Sequence, residues 1–175
     1  GTPRNGFELA AVALKLVKAK MGEGVDIICA GASWNPSQYG LAGVVRTVGM
    51  LPYAETGELY RSCHVGLVMM MTKHPSYLPF ELMGCGTLVV SNRNPANSWF
   101  LKNGENCILA EPTASCIAET LIYGLNHYVE LGFIREYAAK IIQQSHGDWL
   151  PSVSKVATFM HTPESDGGSH LEGRT

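Results

Sequence analysis

The sequence predicts a doubly wound, Rossmann-like α/β domain, a parallel sheet with helices on both faces. Two observations carry that expectation. Short runs that are apolar at almost every position, such as Val25-Asp26-Ile27-Ile28-Cys29-Ala30-Gly31 and Thr87-Leu88-Val89-Val90-Ser91, have the form of strands covered on both faces. These runs alternate along the chain with segments of helical periodicity, the order that builds a parallel sheet through crossover connections.

The first helix is expected over 5–21. Phe7, Ala10, Ala11, Leu14, Val17 and Met21 fall on one stripe, while Glu8, Lys15 and Lys18 lie elsewhere. Asn5 with Glu8 three positions on reads as a variant capping box, and Gly22 and Gly24 stop the helix. A strand over 25–31 follows, then a second over 44–48 (Val44-Val45-Arg46-Thr47-Val48). A helix over 53–63 leads to a strand over 65–71 that takes in Met69-Met70-Met71 as buried strand rather than as a cofactor box. A short helix over about 79–85, a buried strand over 87–91 and a small last strand over 107–109 come next. Helices fill about 114–145 and 148–160, so residues 1–161 read as one domain. From Ser165 the residues lack periodicity, and 162–175 reads as a disordered or appended tail. The chain opens almost on a helix, whereas a doubly wound unit opens on a strand, so a first strand is expected ahead of it in a longer protein.

A chain of 175 residues with 46% hydrophobic and 16% charged residues suits one compact domain. Its 13 Lys plus Arg against 15 Asp plus Glu exclude a general nucleic-acid binder, which concentrates positive charge to displace counterions. No apolar run approaches the roughly 18 residues of a membrane span, and no basic-then-apolar secretory segment opens the chain. Cys29, Cys63, Cys85, Cys107 and Cys116 are scattered without a CxxC pair, which suggests reduced thiols in the cytoplasm rather than a disulfide framework or a zinc site.

Open α/β sheets bind ligands beyond the carboxyl ends of their strands. The Gly-rich fingerprints GxGxxG and GxxxxGK[ST] are missing, which disfavours a standard NAD or flavin oxidoreductase and a P-loop NTPase. Two junctions carry more information. Arg4, just before the first helix, meets the positive end of a helix dipole and is a candidate phosphate ligand, against the plainer reading of a solvated arginine. After the third strand, a loop containing His74-Pro75-Ser76-Tyr77-Leu78 leads into a helix near Pro79, where a missing N–H costs nothing. There the N–H groups of Tyr77 and Leu78 are placed to meet a diphosphate, and Glu81 to accept from sugar or ribose hydroxyls. The plainer reading of Glu81 is a helix-dipole carboxylate. His64, His127, His146 and His161 read as surface or packing histidines, and Glu111 as a solvated loop charge.

Glu81-Leu82-Met83-Gly84-Cys85-Gly86-Thr87-Leu88-Val89-Val90-Ser91 resembles the E-A-M-A-C-G-T-P-V-V-x segment of retaining group 1 glycosyltransferases with the glycosyltransferase-B fold. The resemblance runs in order over about 1–160. Arg4-Asn5-Gly6-Phe7-Glu8-Leu9 is similar to the family's [KR]-[GN]-x-[FD]-x-L helix start, and Leu59-Tyr60-Arg61-Ser62-Cys63-His64-Val65 to its L-Y-x-x-[AC]-D-V. Asn103-Gly104-Glu105-Asn106-Cys107-Ile108-Leu109 is similar to D/N-G-x-N-G-x-L, and Trp149 stands where the family often has a late-helix tryptophan. His74-Pro75-Ser76-Tyr77 with Arg4-Asn5 leans toward rhamnosyltransferases of surface-polysaccharide assembly.

The resemblance implies a C-terminal, donor-binding half. In it Arg4 and the amides of Tyr77 and Leu78 would face the nucleotide diphosphate, and Glu81 the ribose or donor sugar. The base would dock near Trp34 or Tyr39. The family's first glutamate falls on Lys73, so Lys73 or His74 would take over a sugar or phosphate contact. No cofactor or metal is implied, the nucleotide diphosphate sugar being the substrate. The implied partners are that donor, a glycan acceptor and an N-terminal acceptor domain outside this chain. The implied location is the cytoplasm, with a membrane surface nearby. Without the acceptor domain the chain is expected to bind nucleotide weakly and turn over little. The alternative is a non-catalytic nucleotide- or partner-binding module, degenerate at Lys73.

Overall fold

The computed structural model describes residues 5–146 and 150–161. Arg4, Trp149 and the tail expected over 162–175 lie outside them. Among the described residues five strands and six α-helices are interspersed in the order α1 (Phe7–Met21), β1 (Ile28–Ala30), β2 (Arg46–Gly49), α2 (Tyr53–Ser62), β3 (Val65–Val68), α3 (Leu78–Gly84), β4 (Leu88–Asn92), β5 (Ile108–Ala110), α4 (Ala114–Asn126), α5 (Gly132–His146) and α6 (Leu150–His161). Every strand pairing is parallel. The strands form two groups, β1 beside β2, and β3, β4 and β5 side by side in that order.

Strand β4 is the centre of the three-stranded group and is buried at all its positions. Its alternation sends side chains to opposite faces. Val89 packs with Leu82 and Met83 of α3 and Ala138 of α5. Val90 packs with Ala13 and Val17 of α1 and Ile117, Ala118 and Leu121 of α4. Helices therefore cover both faces, which is the doubly wound arrangement. Glycine allows close packing at two points, most tightly at Gly66. A Cβ on Gly66 of β3 would come within 2.6 Å of Leu82 Cδ1, and one on Gly124 of α4 within 3.2 Å of Leu88 Cδ2.

Three local expectations are corrected. Asn5 does not cap α1: Gly6 does, in the left-handed conformation (φ 55°, ψ 36°) and without a side-chain hydrogen bond. Strand β1 is shorter than 25–31 and only partly covered, with Ala30 exposed. Strand β3 ends at Val68, so Met69, Met70 and Met71 belong to the segment after it; Met70 is buried but Met71 is 42% exposed. Glu111 is the exposed loop charge expected, and it pairs with Arg93 at 2.8 Å with both side chains about half exposed, so the pair adds little stability.

The Asn103–Leu109 motif proves to be a turn that holds itself together. Asn106 accepts from the Lys102 amide at 2.8 Å and donates to the Phe100 carbonyl at 2.8 Å, while Asn103 accepts from the Leu109 amide at 2.8 Å. Cys107 inside it is fully buried, and that burial pushes its thiol from the ordinary 9.0 up to about 12. A raised thiol pKa stabilises the fold below the unfolded value, and that contribution is lost as pH climbs from 9.0 toward about 12. Iodoacetamide at about pH 8 should therefore spare Cys107 until the protein unfolds, because the thiolate is the nucleophile. Mass spectrometry of the labelled peptides checks this; labelling of Cys107 as fast as Cys63 in the native protein contradicts it.

Candidate functional site

The carboxyl ends of parallel strands are where this fold class holds ligands, and at that end the start of α1 meets the segment after β3. Gly6, at the start of α1, lies against the segment that leaves β3. A Cβ on Gly6 would sit 3.1 Å from Met71 Cγ and 3.6 Å from Met69 Cε. The positive φ favours glycine at position 6, and the contact with Met71 is a tight one. A cavity of about 1290 Å³ opens beside the junction and is lined there by Asn5, Phe7, Thr72, His74, Ser76 and Leu78.

The aromatic wall of the same cavity comes from the loop after β1. Phe7, Trp34 and Tyr39 pack edge-to-face, with ring centroids 5.3 Å apart for Phe7–Trp34, 4.8 Å for Phe7–Tyr39 and 5.7 Å for Trp34–Tyr39. Asn35 holds that loop by accepting from the Ser37 amide at 3.0 Å. The cluster fastens the loop to the start of α1.

The segment from Met70 to Thr72 is set by two asparagines at the end of β4. Asn92, 2% exposed, accepts from the Met70 amide at 2.7 Å and donates to the Met70 carbonyl at 3.0 Å. Asn94 donates to the carbonyls of Met70 and Thr72 at 3.0 and 2.9 Å. Side chains thus continue the ladder beyond Val68 and fix where the 72–77 loop starts. Neither asparagine was singled out from the sequence. The available signal was a pair of Asn bracketing the end of a fully buried strand, where an unpaired amide would be costly.

Of the residues proposed from the sequence, His74 and Leu78 line the cavity, while Lys73, Tyr77 and Glu81 are not among its lining. The Leu78 amide donates to Ser76 Oγ at 3.3 Å. Tyr77 is 73% exposed. Glu81 is exposed and accepts from the Tyr60 hydroxyl at 3.4 Å. Tyr60 does line the cavity, and burial, with Glu81 beside it, raises the Tyr60 pKa above 10.0. Glu81 thus stands outside the cavity lining, bonded to a residue that belongs to it. Thr87 anchors that tyrosine from behind by donating to its carbonyl at 2.6 Å. Among the described residues, no group of three or more His, Cys, Asp and Glu is placed to hold a metal ion, and no helix is long and apolar enough to cross a membrane.

The family description "WsaF, C-terminal domain" matches residues 1–122. The O-antigen biosynthesis protein RfbC of Myxococcus xanthus is 54% identical over 121 residues, which is 69% of this chain and 10% of RfbC. Among solved structures, Anabaena Alr3699/HepE in complex with UDP superposes with a TM-score of 0.75 at 19% identity, covering 91% of this chain and 46% of that one. The C-terminal domain of the glycosyl transferase group 1 family protein LpcC from Francisella tularensis superposes with a TM-score of 0.65 at 16% identity, covering 83% and 82%. At these identities the structures share the fold. This chain spans about a tenth of RfbC and about half of HepE.

Removing the Asn92 amide should leave the Met70 N–H without its partner, the Met70 carbonyl keeping Asn94, at about 1–3 kcal/mol for one buried group left unpaired. Asn92→Ala should lower the urea midpoint accordingly, whereas Asn92→Ser, which keeps a hydroxyl, should lose less. Equal losses in the two variants would show that the hydrogen bonds do not matter. Gly6→Ala should cost about 1–3 kcal/mol through its left-handed backbone, and a thermal melt unchanged from the parent would refute that.

Proposed function

The chain belongs to the WsaF C-terminal domain family, and from that premise we propose that it is the donor-binding half of a glycosyltransferase of surface-polysaccharide assembly. The donor is a nucleotide diphosphate sugar, with rhamnose as the sugar, and the acceptor is a growing glycan. The observation that carries the reading is the meeting of Gly6 with Met69 and Met71, which gives the start of α1 and the 72–78 loop one cavity at the carboxyl ends of parallel strands. The UDP bound by HepE and the O-antigen role named for RfbC support it.

In this reading the chemistry requires stabilising charge on the departing diphosphate. Arg4, two residues before Gly6, supplies a guanidinium, and the turn at Tyr77 and Leu78 supplies oriented amides. The Leu78 amide is shared with Ser76 Oγ, so Ser76 joins that turn as the hydroxyl a phosphate would displace or extend. Glu81, positioned by Tyr60, accepts from ribose or sugar hydroxyls. His74 lines the cavity and takes the contact left by the substitution of Lys73 for the family's first glutamate. The base stacks on the Trp34–Tyr39 wall. The acceptor domain is supplied by the rest of the protein, so the chain alone binds donor without transferring it. Five unpaired cysteines fit a reducing, cytoplasmic site of action, at the inner face of the membrane where glycan acceptors are held.

Titration of the chain with UDP, dTDP and GDP, alongside NADH, tests this. A nucleoside diphosphate should bind and quench tryptophan fluorescence, with Trp34→Phe abolishing most of the quench. A charge-assisted hydrogen bond is worth about 1.5–3 kcal/mol, so Arg4→Ala should weaken binding on the order of tenfold to a hundredfold, and Glu81→Gln should weaken the ribonucleotides. Binding of NADH in place of every diphosphate would overturn the reading. Binding that Arg4→Ala leaves untouched would remove the proposed site.

A further inference from the structure

A second, smaller cavity of about 180 Å³ lies beyond the carboxyl end of β4, with Asn94, Pro95, Asn97, Ser98 and Leu101 in its lining. Asn97 is 1% exposed, yet neither its Nδ2 nor its Oδ1 has a hydrogen-bond partner among the described residues. The turn does not use that carboxamide. The main chain of Asn97 already makes the turn: its N–H donates to the Asn94 carbonyl at 2.9 Å, and its carbonyl accepts from the Phe100 and Leu101 amides at 3.2 and 3.0 Å. The neighbouring polar groups are spent. Asn94 accepts from the Ala96 amide and donates to the Met70 and Thr72 carbonyls. Arg93, also in the lining, is paired with Glu111 at 2.8 Å. Ser98 donates to the Pro95 carbonyl at 2.8 Å and keeps its oxygen lone pairs. A buried carboxamide that the fold leaves unpaired is costly and calls for a partner.

Next in the chain stands Trp99, 63% exposed. A lone exposed apolar side chain needs no explanation, but this ring is braced. It lies 4.6 Å from Phe100 at 56° and 6.5 Å from Phe80 at 39°, and Phe80 and Phe100 stack at 4.8 Å and 22°. Phe100 in turn belongs to the buried cluster of Leu82, Met83 and Val89. A fixed, flat apolar ring beside an unused carboxamide suits a neutral sugar, whose C–H face lies on the indole while its hydroxyls bond the amide. An anion fits poorly, because the guanidinium in the lining is already engaged. We propose that Trp99, Asn97 and Ser98 form a glycan-binding subsite, with the Asn97 side chain turning into the cavity it lines to meet a sugar hydroxyl. None of the three lines the donor cavity. The occupant is an uncharged oligosaccharide, the growing glycan rather than the nucleotide sugar. This rests on the reading that the protein acts on glycans, and it gives the donor-binding half a hold of its own on the polymer.

The test mixes the full chain, without nucleotide, with trisaccharides of rhamnose, mannose and N-acetylglucosamine in turn. Saturation transfer from protein to sugar protons is followed by NMR. At least one trisaccharide should receive saturation and shift the side-chain NH₂ signal of Asn97. Trp99→Ala, a surface change, should weaken that binding on the order of tenfold. Asn97→Leu keeps the branched shape and removes the unpaired groups, so it should weaken binding by a similar factor while raising the melting temperature. A carboxamide that the fold needed would lower it instead. No transfer to any of the three sugars, or transfer that Trp99→Ala leaves untouched, overturns the proposal. So does displacement of the sugar by UDP, which would assign the signal to the donor cavity. The diphosphate titration reads that cavity separately, so the donor-binding reading and the glycan subsite can fail independently.

Discussion

The two-sided packing of α1 is the contact on which the rest of the structure depends. Ala13 and Val17 join it to α4 and to β4 and β5. Ala11, with Phe7 and Leu14 beside it, joins it to Leu41, Val45 and the residues around β1. Among the described residues β1 and β3 do not pair, and this helix connects the two strand groups through apolar burial. Small side chains at positions 10, 11 and 13 let the helix approach both groups at once. A leucine at each of those places would force the groups apart, because a close-packed interior has little room to give.

The start of the same helix is one wall of the candidate site, which makes site geometry a by-product of core packing. Phe7 fastens the Trp34–Tyr39 loop, and Gly6 admits the methionine segment after β3. The other wall is set independently by Asn92 and Asn94. Two rigid anchors, one apolar and one hydrogen-bonded, therefore converge on a loop whose own residues, His74 and Ser76 among them, carry few internal bonds.

Much of the architecture was legible in the residue pattern. Leu88 to Ser91 could be read as a strand buried on both faces, and the Phe7–Met21 stripe as a helix, because burial and period leave a direct trace in sequence. The cap of α1 was not legible. Asn5 and Glu8 have the spacing of a capping box, but the left-handed backbone at Gly6 and its contact with Met71 decide the geometry, and a tertiary contact leaves no local mark. Coverage of β1 was misjudged too: the strand is only Ile28–Ala30 and Ala30 is exposed. In the site, His74 and Leu78 were found because the loop and Pro79 signal a strand-to-helix junction. Tyr60 was missed as the partner of Glu81 because the two are 21 positions apart and meet only after α2 and α3 pack. Arg4 and Trp149 lie outside the described residues.

The side-chain clamp at the end of β4 has a consequence for how such a domain can diversify. Because Asn92 and Asn94 grip the main chain of Met70 and Thr72 rather than any side chain there, the anchorage is indifferent to what the following loop contains. Mutations can exchange the residues that greet a ligand while the frame presenting them keeps its shape. A scaffold of this kind separates tenancy from tenure: the occupants of the loop can change repeatedly without reopening the question of whether the protein folds.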